Sequence, residues 1–303
     1  MLAVRCSLSP CLPSERSERC SLSPCLRSDT MDPRNKVVII TGASAGIGAA
    51  TAQLFAAAGA RLVLAARSRE PLERLAAALP GRPLVVPTDV ADPAQCRALV
   101  SRTLEAHGRS DILINNAGVG LAGPVAELSP ADLERALAVD LLGPLLLIQA
   151  ALPAMRAQGS GQIINVSTVL AAQPLPYLGG YAAAKAALER LSEALRMELR
   201  GSGVAVSVVR PGTTRTGFGG NRLGSGSERR RVAPKGVPPE AVARAILHAA
   251  RHEPRRAYVR PADRLALLAG VLLPGLVERL LSQAITWERQ PERANTPGER
   301  HHL

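Results

Sequence analysis

The feature that most constrains this chain is a repeated alternation of short apolar, β-branched runs with longer stretches of helical periodicity. Lys36–Thr41 reads KVVIIT, suited to a strand buried on both faces, and glycines then lead into a helical stretch through Ala58. A second strand is expected at Arg61–Ala65. Pro71–Leu79 reads as a helix with Leu72, Leu75, Ala76 and Leu79 on one side. A third strand falls at Leu84–Val86, a helix at Pro93–His107 and a fourth strand at Asp111–Ile114. Helical patterning then covers Pro130–Met155, followed by a strand at Gln162–Val166, a long helix over Tyr181–Leu199 and a sixth strand at Val204–Val209. This order needs a crossover helix between successive strands, hence a parallel sheet with helices on both faces. The expected class is α/β, a single doubly wound domain over 31–260. Its ligands belong beyond the carboxyl ends of the strands.

Composition agrees with a globular chain and narrows the partners. Of 303 residues, 47% are hydrophobic and 20% charged. The formal charge is +12, but three of the 37 basic residues are lysines (Lys36, Lys185, Lys235) and 34 are arginines. That ratio points to a coding bias rather than to a nucleic-acid surface. Aromatics make up only 2%, too few for base stacking, so no nucleic acid is expected as a partner. No uninterrupted apolar run reaches the ~18 residues of a spanning helix.

Residues 1–30 differ from the rest. RCSLSPCL occurs at Arg5–Leu12 and again at Arg19–Leu26, and carries Cys6, Cys11, Cys20 and Cys25. No histidine and no apolar cover accompany them, so the segment reads as an unfolded or mis-started extension rather than a metal or disulfide module, and no metal is expected. It also lacks the apolar core of a signal peptide. Met31 is expected to be the biological start. The remaining cysteine, Cys96, forms no disulfide framework, so a reducing, cytoplasmic compartment is the expectation.

The first strand–helix junction reads Thr41-Gly42-Ala43-Ser44-Ala45-Gly46-Ile47-Gly48. Three glycines there let the backbone approach a pyrophosphate and aim helix N-terminal N–H groups at it, which points to a dinucleotide. The second strand ends in Ala65-Ala66-Arg67-Ser68-Arg69, with no carboxylate for an adenosine ribose. Arg67 instead offers a bidentate donor to a 2′-phosphate, with Arg69 and Ser44 as candidates to share it, so NADP(H) is expected over NAD(H). Tyr181-Ala-Ala-Ala-Lys185 places a phenol and an ammonium on one helical face. A neighbouring cation and an oxidised nicotinamide are both expected to lower the phenol pKa and so fit Tyr181 for proton transfer to or from an oxygen.

The spacing G-x3-G-x-G after strand one, Asn115-Asn116-Ala117-Gly118 after strand four and Y-x3-K after strand five together resemble the short-chain dehydrogenase/reductase family, over about residues 34–216. The resemblance implies a Rossmann-like fold and hydride transfer between nicotinamide and a carbonyl or secondary alcohol. It implies cofactor contacts from Gly42, Ser44, Gly46, Ile47, Gly48, Asp89, Val90, Asn116, Ala117, Gly118, Tyr181 and Lys185, and from Pro211, Gly212, Thr214 and Thr216 of PGTTRT. It implies that Lys185 grips the nicotinamide ribose. It also implies a hydroxyl about 13 residues before the tyrosine, here Thr168, with Ser167 in reserve. Asp140 stands where the family usually has an asparagine that holds a relay water, and is a candidate partner of Lys185. That departure keeps open a second reading, a cofactor-binding regulator or scaffold with little turnover.

The remainder shapes the substrate side. Residues 213–238, rich in Gly, Ser and Arg with Arg229-Arg230-Arg231, are expected to form a mobile lid. Pro239–His252 reads as a helix and Tyr258-Val259 as a last strand. Leu265–Leu281, LALLAGVLLPGLVERLL, reads as a pocket wall, an oligomer contact or an interfacial membrane helix, the first two being favoured. The apolar loop Ala171–Gly180 suits a hydrophobic small molecule, and homo-oligomers are expected. Residues after Arg289 are polar and expected to be disordered.

Overall fold

The structure, a computed structural model, describes residues 31–224, 227–230 and 235–288. The duplicated N-terminal segment, Arg231 and the tail after Arg289 lie outside the described residues. In chain order the elements are β1 Val37–Thr41, α1 Gly46–Ala57, β2 Arg61–Ala66, α2 Arg69–Ala78, β3 Leu84–Pro87, α3 Pro93–His107 and β4 Ile112–Asn115. They continue with α4 Pro130–Leu137, a π-helical turn Ala138–Leu142, α5 Gly143–Ala157, β5 Gly161–Val166, α6 Gly179–Glu198 and β6 Val204–Arg210. The chain then adds β7 Ser227–Arg230, α7 Pro239–His252, β8 Arg256–Tyr258, α8 Pro261–Leu272, α9 Pro274–Ala284 and β9 Ile285–Glu288.

Seven strands form one parallel sheet in the order β3-β2-β1-β4-β5-β6-β8. Alternation along the strands sorts the core into two layers. Val38, Ile40, Leu62, Leu64, Ile112 and Ile114 pack on the side of α1 and α7. Val37, Ile39, Val63, Leu113 and Ile163 face α3 and α5. Cys96 is fully buried in the second layer, and burial pushes its thiol up to about 11. The progression of strand order reverses between β1 and β4, which opens a crevice at their carboxyl ends.

Several expectations are corrected. The patterning over Pro130–Met155 is one continuous helical stretch, Pro130–Ala157, interrupted by a π-turn at Ala138–Leu142 that the sequence did not show and that holds the buried Asp140. Pro130–Ala157 is long and apolar enough by length and composition to cross a membrane. Leu147, Ile148, Ala151 and Met155 within it are nevertheless buried in the sheet-facing layer. The last sheet strand is Arg256–Tyr258 rather than Tyr258-Val259. Leu265–Leu281 is two helices bent by 115° at Leu273-Pro274. The expected lid carries β7, which pairs antiparallel with β9, a strand unseen in the sequence.

Candidate active site

The β1–α1 turn is built for close approach. Gly42 and Gly46 have φ of +63° and +54°. A Cβ on Gly48 would lie 2.1 Å from the Gly42 carbonyl oxygen, and one on Gly42 would lie 2.9 Å from Ala117 Cα. The first turn of α1 has neither a capping side chain nor an acidic residue, so its N–H groups stay available to an anion. The cradle fits a dinucleotide pyrophosphate. Thr41 Oγ1 accepts from the Asn116 and Ala117 N–H groups at 3.0 Å each, and Asn116 Nδ2 donates to the Thr41 and Gly42 carbonyls at 2.9 and 3.2 Å. These bonds lock the loop after β4 to the glycine turn. Asn115 Nδ2 donates across to Asn165 Oδ1 on β5 at 2.8 Å.

The other expected contacts gather around this crevice. Arg67 is exposed at the end of β2 with no polar partner among the described residues, and Ser44 is half-buried on the turn. Arg69 forms an ion pair with Glu73 at 3.2 Å, one helical turn on, so its guanidinium is already engaged. Asp89 Oδ1 accepts from Ala91 N–H at 3.0 Å, and Val90 packs under Gly143, where a Cβ would come within 2.8 Å of the Val90 carbonyl oxygen. Ile47 sits half-buried against the first core layer. The segment Pro211–Thr216 closes over the turn: a Cβ on Gly46 would meet Thr216 Cγ2 at 3.1 Å. Thr214 Oγ1 donates to the Gly212 carbonyl at 3.1 Å.

Tyr181 and Lys185 stand one turn apart on α6. Lys185 is 3% exposed, and its Nζ lies 3.1 Å from Asp140 Oδ1 and 3.3 Å from the Val166 carbonyl oxygen. Asp140 Oδ1 also accepts from Val119 N–H at 3.2 Å, while Oδ2 is buried with no partner among the described residues. Burial pushes the Asp140 carboxyl up, opposed by the Lys185 ammonium and then by the Val119 N–H. The expected lowering of the Tyr181 pKa is corrected. Burial, and next the Asp140 carboxylate, push the phenol above its ordinary value. The main physical reason is burial, which disfavours the charged phenolate, and the nearby Asp140 carboxylate adds to it.

The two candidate hydroxyls separate. Thr168 Oγ1 caps a short 3-10 turn by accepting from Leu170 N–H and lies 3.4 Å from the Pro211 carbonyl oxygen. Ser167 turns the other way and donates to Glu189 Oε1 at 2.7 Å. Glu189, two turns beyond Tyr181 on α6, also holds the buried Arg210 in a bidentate pair, and Arg210 donates to Tyr258 Oη at 3.0 Å. The sequence reading missed this network, and it missed Phe218. The Phe218 ring lies 5.8 Å from the Tyr181 ring, and its Cε2 would be 3.8 Å from a Cβ on Gly118. One of only two phenylalanines, two residues after Thr216, was the available signal. Tyr177, at φ +66°, stacks on Trp287 at 5.3 Å and ties the pocket loop to β9.

Comparison with known proteins agrees with this geometry. The family model described as short chain dehydrogenase matches residues 36–223. Dehydrogenase/reductase SDR family member 7B of Bos taurus is 34% identical over 271 residues, covering 85% of this chain and 83% of that protein. A short-chain dehydrogenase/reductase from Burkholderia phymatum, solved in complex with NAD, superposes with a TM-score of 0.74 at 28% identity, covering 81% of this chain and 96% of that one. A metagenomic short-chain oxidoreductase, solved in complex with NADP, gives 0.65 at 33% identity, covering 76% and 99%. On the family match and the length of the shared chain, this protein belongs to the short-chain dehydrogenase/reductase family, oxidoreductases that work with a nicotinamide cofactor.

Proposed function

We propose that the chain is an NADP(H)-dependent reductase of apolar carbonyl compounds, acting in reverse on the corresponding secondary alcohols. The observation that carries this reading is Lys185, an almost fully buried ammonium between Asp140 and the Val166 carbonyl, one helical turn below Tyr181. The bound nicotinamide supplies or takes a hydride at its C4. Tyr181 gives its phenolic proton to the carbonyl oxygen in reduction and takes the alcohol proton in oxidation. Thr168 offers an O–H to the same oxygen, and Lys185 holds the ribose and stabilises the phenolate. Gly42, Gly46, Gly48 and the α1 N–H groups hold the pyrophosphate. Ser167 belongs to the Glu189 network rather than to the reaction. The apolar loop Ala171–Gly180 and Phe218 favour an apolar substrate. The buried, unpaired Cys96 fits a reducing, cytoplasmic location.

The cofactor assignment rests on Arg67, exposed at the end of β2 with no polar partner among the described residues, in a stretch, Ala65–Arg69, that carries no carboxylate. Arg67→Asp is expected to reverse the NADPH/NADH preference, weakening NADPH by about tenfold or more. Steady-state oxidation of each cofactor with a panel of apolar ketones reads this out. An unchanged ratio removes Arg67 from the assignment, and no turnover with any ketone returns the reading to a cofactor-binding regulator.

Asp140 gives a second expected outcome. Asp140→Asn removes a negative charge beside Lys185, so the Tyr181 phenol should ionise at lower pH. The rising limb of the alcohol-oxidation pH profile is expected to move to lower pH. A profile that stays in place means the carboxylate does not reach the tyrosine.

A further inference from the structure

We infer that the helical pair α8–α9 is a wedge that docks into one leaflet of an anionic lipid bilayer. No charged residue lies between Arg264 and Glu278. Val271 is 76% exposed and Leu265 and Leu272 67% each, while Leu268, Leu273, Leu276 and Leu280 are all more than half exposed. The other exposed large apolar side chains, Val125, Leu142, Leu191, Met197 and Phe218, do not form such a run. Seven large apolar side chains gathered on one bent pair form a patch that a soluble monomer does not ordinarily leave in water.

Dimensions decide how the pair meets a membrane. The 12 residues of α8 extend about 18 Å. A hydrocarbon core is about 30 Å thick. The first helix is therefore too short to cross, and the 115° bend at Leu273-Pro274 turns the chain aside. Its length matches the depth of a single leaflet. The apolar stretch ends in cations on both sides: Arg264 and Arg279 are exposed and have no ion pair among the described residues. With a chain charge of +12, they suit anionic headgroups. Glu278 is the exposed acid beside them, while Asp263, next to Arg264, is half-buried against Gly212.

The wedge is continuous with the pocket loop. A Cβ on Gly270 would lie 2.1 Å from Gln173 Oε1, and Trp287, just after α9, stacks on Tyr177. The docking itself does not depend on the reaction proposed above, and its test reads no turnover. It adds a short path from leaflet to pocket for an apolar substrate.

The experiment is flotation of the full chain with vesicles of phosphatidylcholine, alone or mixed with phosphatidylserine. The wild-type chain is expected to float with the mixed vesicles. Leu272→Asp with Leu276→Asp should weaken binding at least about tenfold, with an unchanged melting curve to show that the fold is intact. Arg264→Glu with Arg279→Glu should abolish the preference for phosphatidylserine. The proposal is overturned if the wild-type chain does not float, if the leucine variant floats equally well, or if the arginine variant keeps the full preference. A wild-type dimer that the leucine variant splits, with neither binding vesicles, would assign the face to a second copy and overturn it as well.

Discussion

Tyr181→Phe is expected to lower kcat for carbonyl reduction by about a thousandfold. The phenol is the side chain one turn from the buried Lys185, and its burial keeps it protonated until the oxygen of a substrate needs the proton. The substitution removes one oxygen and keeps the ring, so the contact with Phe218 survives. The dissociation constant for NADPH, read by fluorescence titration, should change little, because the pyrophosphate cradle lies on another element. Turnover within tenfold of wild type would show that another group moves the proton.

Glu189→Ala is expected to destabilise the fold by about 3–5 kcal/mol. Glu189 is 1% exposed and Arg210 5%, so removing the carboxylate strands a guanidinium in the interior. The Ser167 hydroxyl loses its acceptor in the same step. Urea denaturation followed by circular dichroism measures the loss as a lower midpoint at constant slope. Glu189→Gln should recover part of it by accepting from Ser167. A stability loss of less than about 1 kcal/mol would mean that water enters and solvates Arg210.

Strand and helix order was legible because it is written in local periodicity. α3 and α7 match their expected spans residue for residue, since each opens on a proline at its first position and breaks in a left-handed residue, Gly108 and Glu253. The glycine turn was legible because Gly42 and Gly46 adopt a backbone that other residues resist. The π-turn at Asp140 was not, because an inserted residue leaves the hydrophobic pattern on either side intact. The electrostatics of Tyr181 were misread because the burial that pushes its phenol up arises only from packing in the folded chain, although Asp140 was legible as a candidate partner of Lys185. Glu189 and Arg210 look like ordinary surface charges until the sheet brings their elements together. β9 was hidden because a four-residue strand gains its identity only from its partner.

The ribbon of β7 and β9 couples two distant stretches of the chain mechanically. Ser227–Arg230 is stitched to Ile285–Glu288 through four residue pairs, so β7 cannot move independently of β9. An isolated two-stranded ribbon is only marginally stable in water. Any motion of β7 must therefore either break that stitching or carry Ile285–Glu288, and the α9 helix joined to it, along with it.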